Sequence, residues 1–425
     1  MTSRPYFQRS AQLFETLSSE DVATALLNIS KASYSKVSDE RIKTLMKHIK
    51  VVGEHVMGST HSRSTLRTKI HSLCFNLGLP SLFVIINPVD IHSLVTLYFA
   101  GVDLDLDRFL PEVLCTIYGR AQIIATQPVA TAKIFNCLIK SILKCLVCGG
   151  VLGPTKASFG TVESQGRGSL DLHLLIWLKH EYTPAQLKEN IQNQDFRDNL
   201  LKYLEDVVKE DLDVFRDETN DGTNTASDIR VSIQETDPIT YEVVPACLST
   251  PNPASDDFHR IFCKDVVRLV ETSNIHKHST TCYKYSKGKS DTSKTCRMRM
   301  PRVLVKTSNI DLSTGQITMR RSHPWINNFN EWLIMYYITD YVTKSTLAFY
   351  DMFALAQQGV KSIEQQRVTN SIDNAIEKSR KLVLRCYNMI ASQQELSDVQ
   401  VASYLMNYDD HYTTHALRNL FYYLN

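Results

Sequence analysis

The chain has 425 residues, 43% of them apolar, enough to bury a sizeable core and to suggest two or three domains. Its 47 Lys/Arg and 45 Asp/Glu nearly cancel, so bulk charge names no partner. The opening MTSRPYFQRSAQLFETL lacks the apolar core of a signal peptide, and no apolar run approaches the ~20 residues of a membrane span.

Ten scattered cysteines without a secretory signal read as reduced thiols of an intracellular protein. Charge is distributed unevenly. From Asp217 to Asp257 there are nine Asp/Glu and one basic residue, whereas His276 to Lys306 holds nine Lys/Arg and one acidic residue. A basic block of that density can screen phosphates, as can any solvated loop.

In chain order, residues 1 to about 57 alternate charged and apolar positions at helical spacing, as in SDERIKTLMKHIKVVGEHV. A second helix is expected over 66–79, stopped by Pro80. SLFVIIN (81–87) suits a buried strand. TAKIFNCLIKSILKCLVC (131–148) is an amphipathic helix ended by Gly149-Gly150, with Cys145 and Cys148 placed in its core face. GTVESQGRGSLDLHLLIWL (160–178) reads as a hairpin. One or two acidic-faced helices are expected over 183–215, then a polar linker to 257. Strands PRVLVK (301–306) and QITMRR (316–321) flank a DLSTG turn. From Asn330 on the chain reads mostly as helix, with Ser397 and Gln400 forming a capping box. The order predicts an α+β fold with an antiparallel sheet.

Three groups of side chains carry possible chemistry. In the hairpin, period-two alternation puts Asp171 and His173 opposite a row of Leu and Ile. A paired first strand would add Glu163 and Gln165 to that face. Carboxylates, an amide oxygen and an imidazole suit a hard ion such as Mg²⁺ or Mn²⁺. A half-exposed strand with ordinary outward polar residues has the same pattern.

In IMYYITDYVTKST (334–346), Tyr337, Tyr341 and Lys344 fall on one helical face. A phenol can attack a phosphodiester, and an ammonium beside it would favour the phenolate or meet the phosphate. An aromatic stripe packed in a core has the same spacing. His276, His278, Cys282 and Cys296 follow H-x-H-x3-C-x13-C and offer two imidazoles and two thiolates for tetrahedral zinc; a His-rich basic loop with unrelated cysteines reads equally well. Gly288-Lys289-Ser290 lacks the glycine spacing of a phosphate loop.

Together these segments resemble the Helitron helicase-like domain at the N-terminal side of Helitron-type transposases. The matching pieces run in family order: GSTHSRS with LGLPSLFVIINPVD (58–90), FGTVESQGRGSLDLHLLIWL (159–178), HKHSTTCYKY with CRMRMPR (276–302), RRSHPWINNFNEWL (320–333), YYITDYVTKS (336–345) and SQQELSDVQVASYL (392–405). The resemblance implies a replication-initiator nuclease of the two-histidine type. Its central antiparallel sheet holds a divalent metal, Mg²⁺ or Mn²⁺, and a tyrosine nicks and joins single-stranded DNA. Helical regions lie at both ends.

In that frame Asp171 and His173 take the two histidine positions, with Glu163 or Gln165 as a third ligand. Tyr337 and Tyr341 match the paired nucleophiles and Lys344 the lysine after them, while His276, His278, Cys282 and Cys296 match a zinc cluster. The implied division is 1–57 helical, 58–182 first nuclease half, 183–257 acidic helices and linker, 258–300 zinc-binding basic segment, 301–345 second half with the tyrosines, and 346–425 helical. Nuclear location follows from the DNA substrate; no membrane partner is expected.

Two departures bear on activity. The family has histidine where this chain has Asp171, and a stretch usually found between FNEWL and YYITDY is missing before Ile334. There is also no Walker A motif, so ATPase activity is not expected of this chain and a helicase half would be separate. The readings that remain open are an active metal-dependent tyrosine nuclease, a silent single-stranded-DNA binder and a protein-interaction scaffold.

Overall fold

The computed structural model describes residues 5–31, 39–88, 93–103, 117–164, 168–180, 182–207, 251–273, 275–276, 278, 280–283, 295–296, 299–325, 349–367 and 374–415. They form a mixed helical and antiparallel β structure of the α+β class, in two compact units.

The first unit gathers both ends of the described chain around one sheet. It contains α1 (Pro5–Glu15), α2 (Ser19–Lys31), α3 (Glu40–Gly53), α4 (Thr60–Leu77) and the strands β1 (Leu82–Ile86), β2 (Thr155–Ser164) and β3 (Leu170–Leu178). The second unit contributes α5 (Leu94–Phe99), α6 (Ile117–Thr126), α7 (Pro128–Ile142), α8 (Pro184–Asn190), α9 (Gln194–Val207), α10 (Phe258–Ser273), β4 (Asn309–Ile310) and β5 (Ile317–Thr318). The C-terminal helices α11 (Phe349–Arg367), α12 (Ala375–Ala391) and α13 (Asp398–Leu405), with strand β6 (His411–Thr413), return to the first unit.

Its larger core is helical. Phe7 and Phe14 of α1, Val22 of α2, Ile42, Leu45 and Ile49 of α3, Phe353 of α11 and Leu382, Cys386 and Ile390 of α12 bury together. The spacing within each helix is the three-and-four repeat of an apolar stripe. Helices α11 and α12 approach closely at Gly359. A Cβ there would stand 2.7 Å from the Cys386 Cα and 3.0 Å from its backbone nitrogen, so only glycine permits the contact. Arg41 ties this layer together, donating to the Thr16 carbonyl and pairing with Asp39 at 2.7 Å and Asp21 at 3.2 Å.

The sheet runs β1-β3-β2-β6, all neighbours antiparallel. The expected strand over 81–87 is β1, though as an edge strand it is not buried and leaves Ile85 exposed, and the expected hairpin is β2–β3, with Glu163 opposite Asp171 and Thr161 opposite His173. Its turn passes through Gly168 at φ +86°, a left-handed conformation that suits glycine.

Four expectations are corrected. Helix α4 ends at Leu77 with Gly78 as its cap at φ +82°, ahead of Pro80. The strands expected over 301–306 and 316–321 are a two-residue pair, β4–β5, plus one bridge between Val305 and Arg321. The first of these sits beyond the PRVLVK run because the DLSTG turn, built on Asp311 accepting from Ser313 and Thr314, fixes the register. Cys145 and Cys148 are exposed, because a π-helical turn, Leu143–Val147, carries the end of α7 round and buries Val147 instead. The C-terminal stretch, read as helical, also supplies β6. The capping box at Ser397 and Gln400 is present. Among the described residues, no helix is long and apolar enough to cross a membrane.

Candidate functional sites

The two faces of the sheet do not divide into buried and wet. Strand β3 is buried from Leu170 to Trp177, including Asp171 at 2% exposure and His173 at 8%. β3 is therefore not the half-exposed strand of the alternative reading, while β2 keeps Lys156 exposed and Val162–Ser164 partly exposed. On the face that holds the odd-numbered residues, α4 covers one end. Leu66, Ile70 and Leu73 pack on Ala157, Phe159, Leu175 and Trp177, and the Trp177 indole donates to the Gly78 carbonyl at 2.9 Å.

The other end of the same face is polar. Opposed residues in an antiparallel pair project to one side, so Glu163, Asp171, His173 and Thr161 share it. His173 Nε2 lies 3.2 Å from Glu163 Oε2, and its ring is stacked 6.0 Å from Phe83. Glu163 keeps 29% of its side chain exposed, so the pair opens toward solvent on the carboxylate side. The structure thus brings Glu163 and His173 together and puts Asp171 directly across from Glu163. Gln165, Tyr337, Tyr341 and Lys344 lie outside the described residues.

Sequence reasoning missed the strand at the sheet edge. β6 sets His411 opposite Thr161, so the row across the sheet runs Ile85, His173, Thr161, His411. His411 Nδ1 is 2.8 Å from Asp410 Oδ1, and His411 Nε2 is 3.1 Å from Lys69 Nζ on α4. Asp410 also accepts from the Ser62 hydroxyl at 3.4 Å. Burial pushes the Asp410 carboxyl up, but the His411 bond and charge, Ser62 and the Lys69 charge outweigh it and hold the group below its ordinary value. The available signal was the adjacent acid and imidazole of DDHYTTH, hidden because three residues are too few for a period to register.

Tyr404 sits beside this group. Burial first, and then the Asp410 charge, push its phenol up to about 12. It stays protonated at neutral pH and is poorly suited to be a nucleophile.

The second site belongs to the other unit. His276, His278, Cys282 and Cys296 bring one ligand atom each to within 4.8 Å of one another, so this group can hold a metal ion. His276 Nε2 is 3.5 Å from Cys282 Sγ and 3.4 Å from Cys296 Sγ. The His276 backbone donates to the Trp325 carbonyl at 2.8 Å, and the His278 ring meets the Trp325 indole edge-on at 5.3 Å. Two chain segments far apart in sequence are thereby closed on one point. Among the described residues this is the group in which three or more His, Cys, Asp or Glu ligand atoms gather so closely; Asp171 is not drawn in to that degree with Glu163 and His173.

No curated protein and no solved structure matches the chain. The family model described as the Helitron helicase-like domain at N-terminus matches residues 5–176, from the start of α1 through Glu163, Asp171 and His173. By that match, residues 5–176 of this chain are a Helitron helicase-like domain.

Proposed function

We propose that this chain takes single-stranded DNA on the polar end of its four-stranded sheet, in the manner of a replication initiator, and that Asp171 curtails its nicking activity. The observation that carries this reading is the Glu163–His173 pair, 3.2 Å apart on the same face as Asp171. That donor set, an imidazole and two carboxylates of which Glu163 is partly open to solvent, fits a hard divalent ion, Mg²⁺ or Mn²⁺. Such an ion, when bound, supplies Lewis-acid polarisation of a phosphodiester.

The chain's own residues do the rest. Glu163 and His173 orient the scissile phosphate's surroundings, and Phe83 holds the His173 ring. The phenol oxygen of Tyr337 or Tyr341 attacks phosphorus, the bond from phosphorus to the 3′ oxygen breaks, and a 5′-phosphotyrosine link forms. The phenol gives up its proton, the leaving oxygen gains one, and Lys344 favours the phenolate. Asp171 works against this step. Relative to a neutral imidazole it adds one negative charge, which strengthens ion binding, weakens the ion as a Lewis acid and repels the phosphate. At ~4 Å and an effective dielectric of 20 a unit-charge pair is worth ~4 kcal/mol.

In the same reading the Cys/His group holds zinc and closes the basic segment. At Zn–S ≈ 2.3 Å and Zn–N ≈ 2.0–2.1 Å a tetrahedral ion requires an S···N edge of about 3.5 Å. The separations of 3.4 and 3.5 Å from His276 support that assignment. Work on DNA implies a nuclear location.

The test is a denaturing gel of labelled single-stranded oligonucleotide with the full chain and Mn²⁺. A faint protein–DNA adduct that disappears in a Tyr337→Phe/Tyr341→Phe variant supports the reading. Absence of any single-strand binding overturns it. Binding without an adduct in any variant, Asp171→His included, selects the silent binder instead.

A further inference from the structure

Lys69, His411 and Asp410 form a hydrogen-bonded chain that neither the metal face nor the zinc group uses. Lysine has donors only, so in its 3.1 Å contact with Lys69 the His411 Nε2 must accept. The ring proton then sits on Nδ1 and donates to Asp410 Oδ1 at 2.8 Å. This order sets the imidazole between a carboxylate and an ammonium. Asp410 is buried, and the Phe159 ring lies 5.7 Å from the His411 ring, so the imidazole has little freedom. Lys69 itself is only half-buried and spends one of its three donors on His411, leaving two for a ligand.

Place in the sheet gives the chain its meaning. His411 and His173 lie on one row and one face, with Thr161 between them. Two strand spacings of ~4.8 Å put them roughly 10 Å apart, a distance a single DNA strand covers between nearby phosphates. We propose that Lys69, aimed by His411 and Asp410, is a binding site for a backbone phosphate of single-stranded DNA flanking the one that meets His173. Lys69 makes the contact, and His411 and Asp410 are positioning residues. This rests on the single-strand reading above.

The competing account is a clasp that fastens β6 to α4 and touches no ligand. Salt dependence separates the two, because loss of folded protein lowers the active fraction without changing the slope. The full chain and the variants Lys69→Ala, Lys69→Arg and His411→Ala are titrated against a labelled mixed-sequence oligonucleotide at several salt concentrations. Each phosphate neutralised on a single strand contributes a slope of about −0.7 in log K against log salt.

Lys69→Ala is expected to flatten the slope by about 0.7 and to weaken binding several-fold at low salt. Lys69→Arg is expected to keep the slope, and His411→Ala to weaken binding while Lys69 is present. A wild-type slope retained in Lys69→Ala overturns the phosphate site and leaves the single-strand reading standing. Absence of salt-dependent binding by the wild type overturns both.

Discussion

Asp171 and Glu163 face each other across the β2–β3 pair, with His173 one position further along the same side. Alternation exposed that juxtaposition in the sequence, because period two is a property of the backbone and needs no tertiary knowledge. Burial was not legible in the same way. It depends on α4 packing over the sheet and on β6 joining its edge, neither of which leaves a mark on residues 160–178.

The Cys/His group argues the same point at the level of donors. Its spacing matched no familiar finger, yet the four ligand atoms converge. Cys282→Ser is expected to abolish stoichiometric zinc measured by elemental analysis, and Cys137→Ser, an exposed thiol outside the group, to leave it unchanged. Cys386 offers a contrast: burial pushes its thiol up to about 12, so it stays unreactive while Cys145 and Cys148 accept alkylating reagent.

Whole elements were legible where a long period or a cap announced them. The capping box at Ser397 with Gln400 starts α13 through reciprocal hydrogen bonds, whereas the equivalent box at Thr183 with Gln186, which starts α8, was not singled out in the sequence. Short strands were not, since β4, β5 and β6 have two or three residues each and owe their existence to partners. The α11–α12 contact at Gly359 belongs to this scale as well. Gly359→Ala forces a methyl against the Cys386 backbone, which cannot swing aside as a side chain can. We expect a loss of about 1–3 kcal/mol in denaturant unfolding, typical of overpacking, with no change in DNA slope.

At the scale of the molecule, the first unit joins the N-terminal helices, the hairpin and the C-terminal helices into one body. A linear division of the chain into successive domains has no means of anticipating that return. Its stability should fall in acid in two stages. Burial holds the His48 and His61 imidazoles below their ordinary 6.5, so the unfolded chain binds protons first as pH drops through that value. Stability present above pH 6.5 is therefore lost below it. Asp21, Asp39 and Asp410 are held below their ordinary 3.8, Asp21 by Ser18, Asp39 by Arg41, and Asp410 by His411, Ser62 and Lys69 against the cost of burial. Their contribution persists until pH falls under that value. Thermal unfolding across a pH series is expected to show a first decline near pH 6.5 and a second below about pH 4. A midpoint that rises on acidification contradicts the assignment.

The most direct measurement compares the wild type with Asp171→His in covalent adduct formation on 5′- and 3′-labelled single-stranded DNA with Mn²⁺. More adduct in Asp171→His, dependent on Tyr337 or Tyr341, is the expected result and locates the lost activity at that carboxylate. Equal or greater adduct in the wild type would contradict the account and make Asp171 a competent substitute for the imidazole.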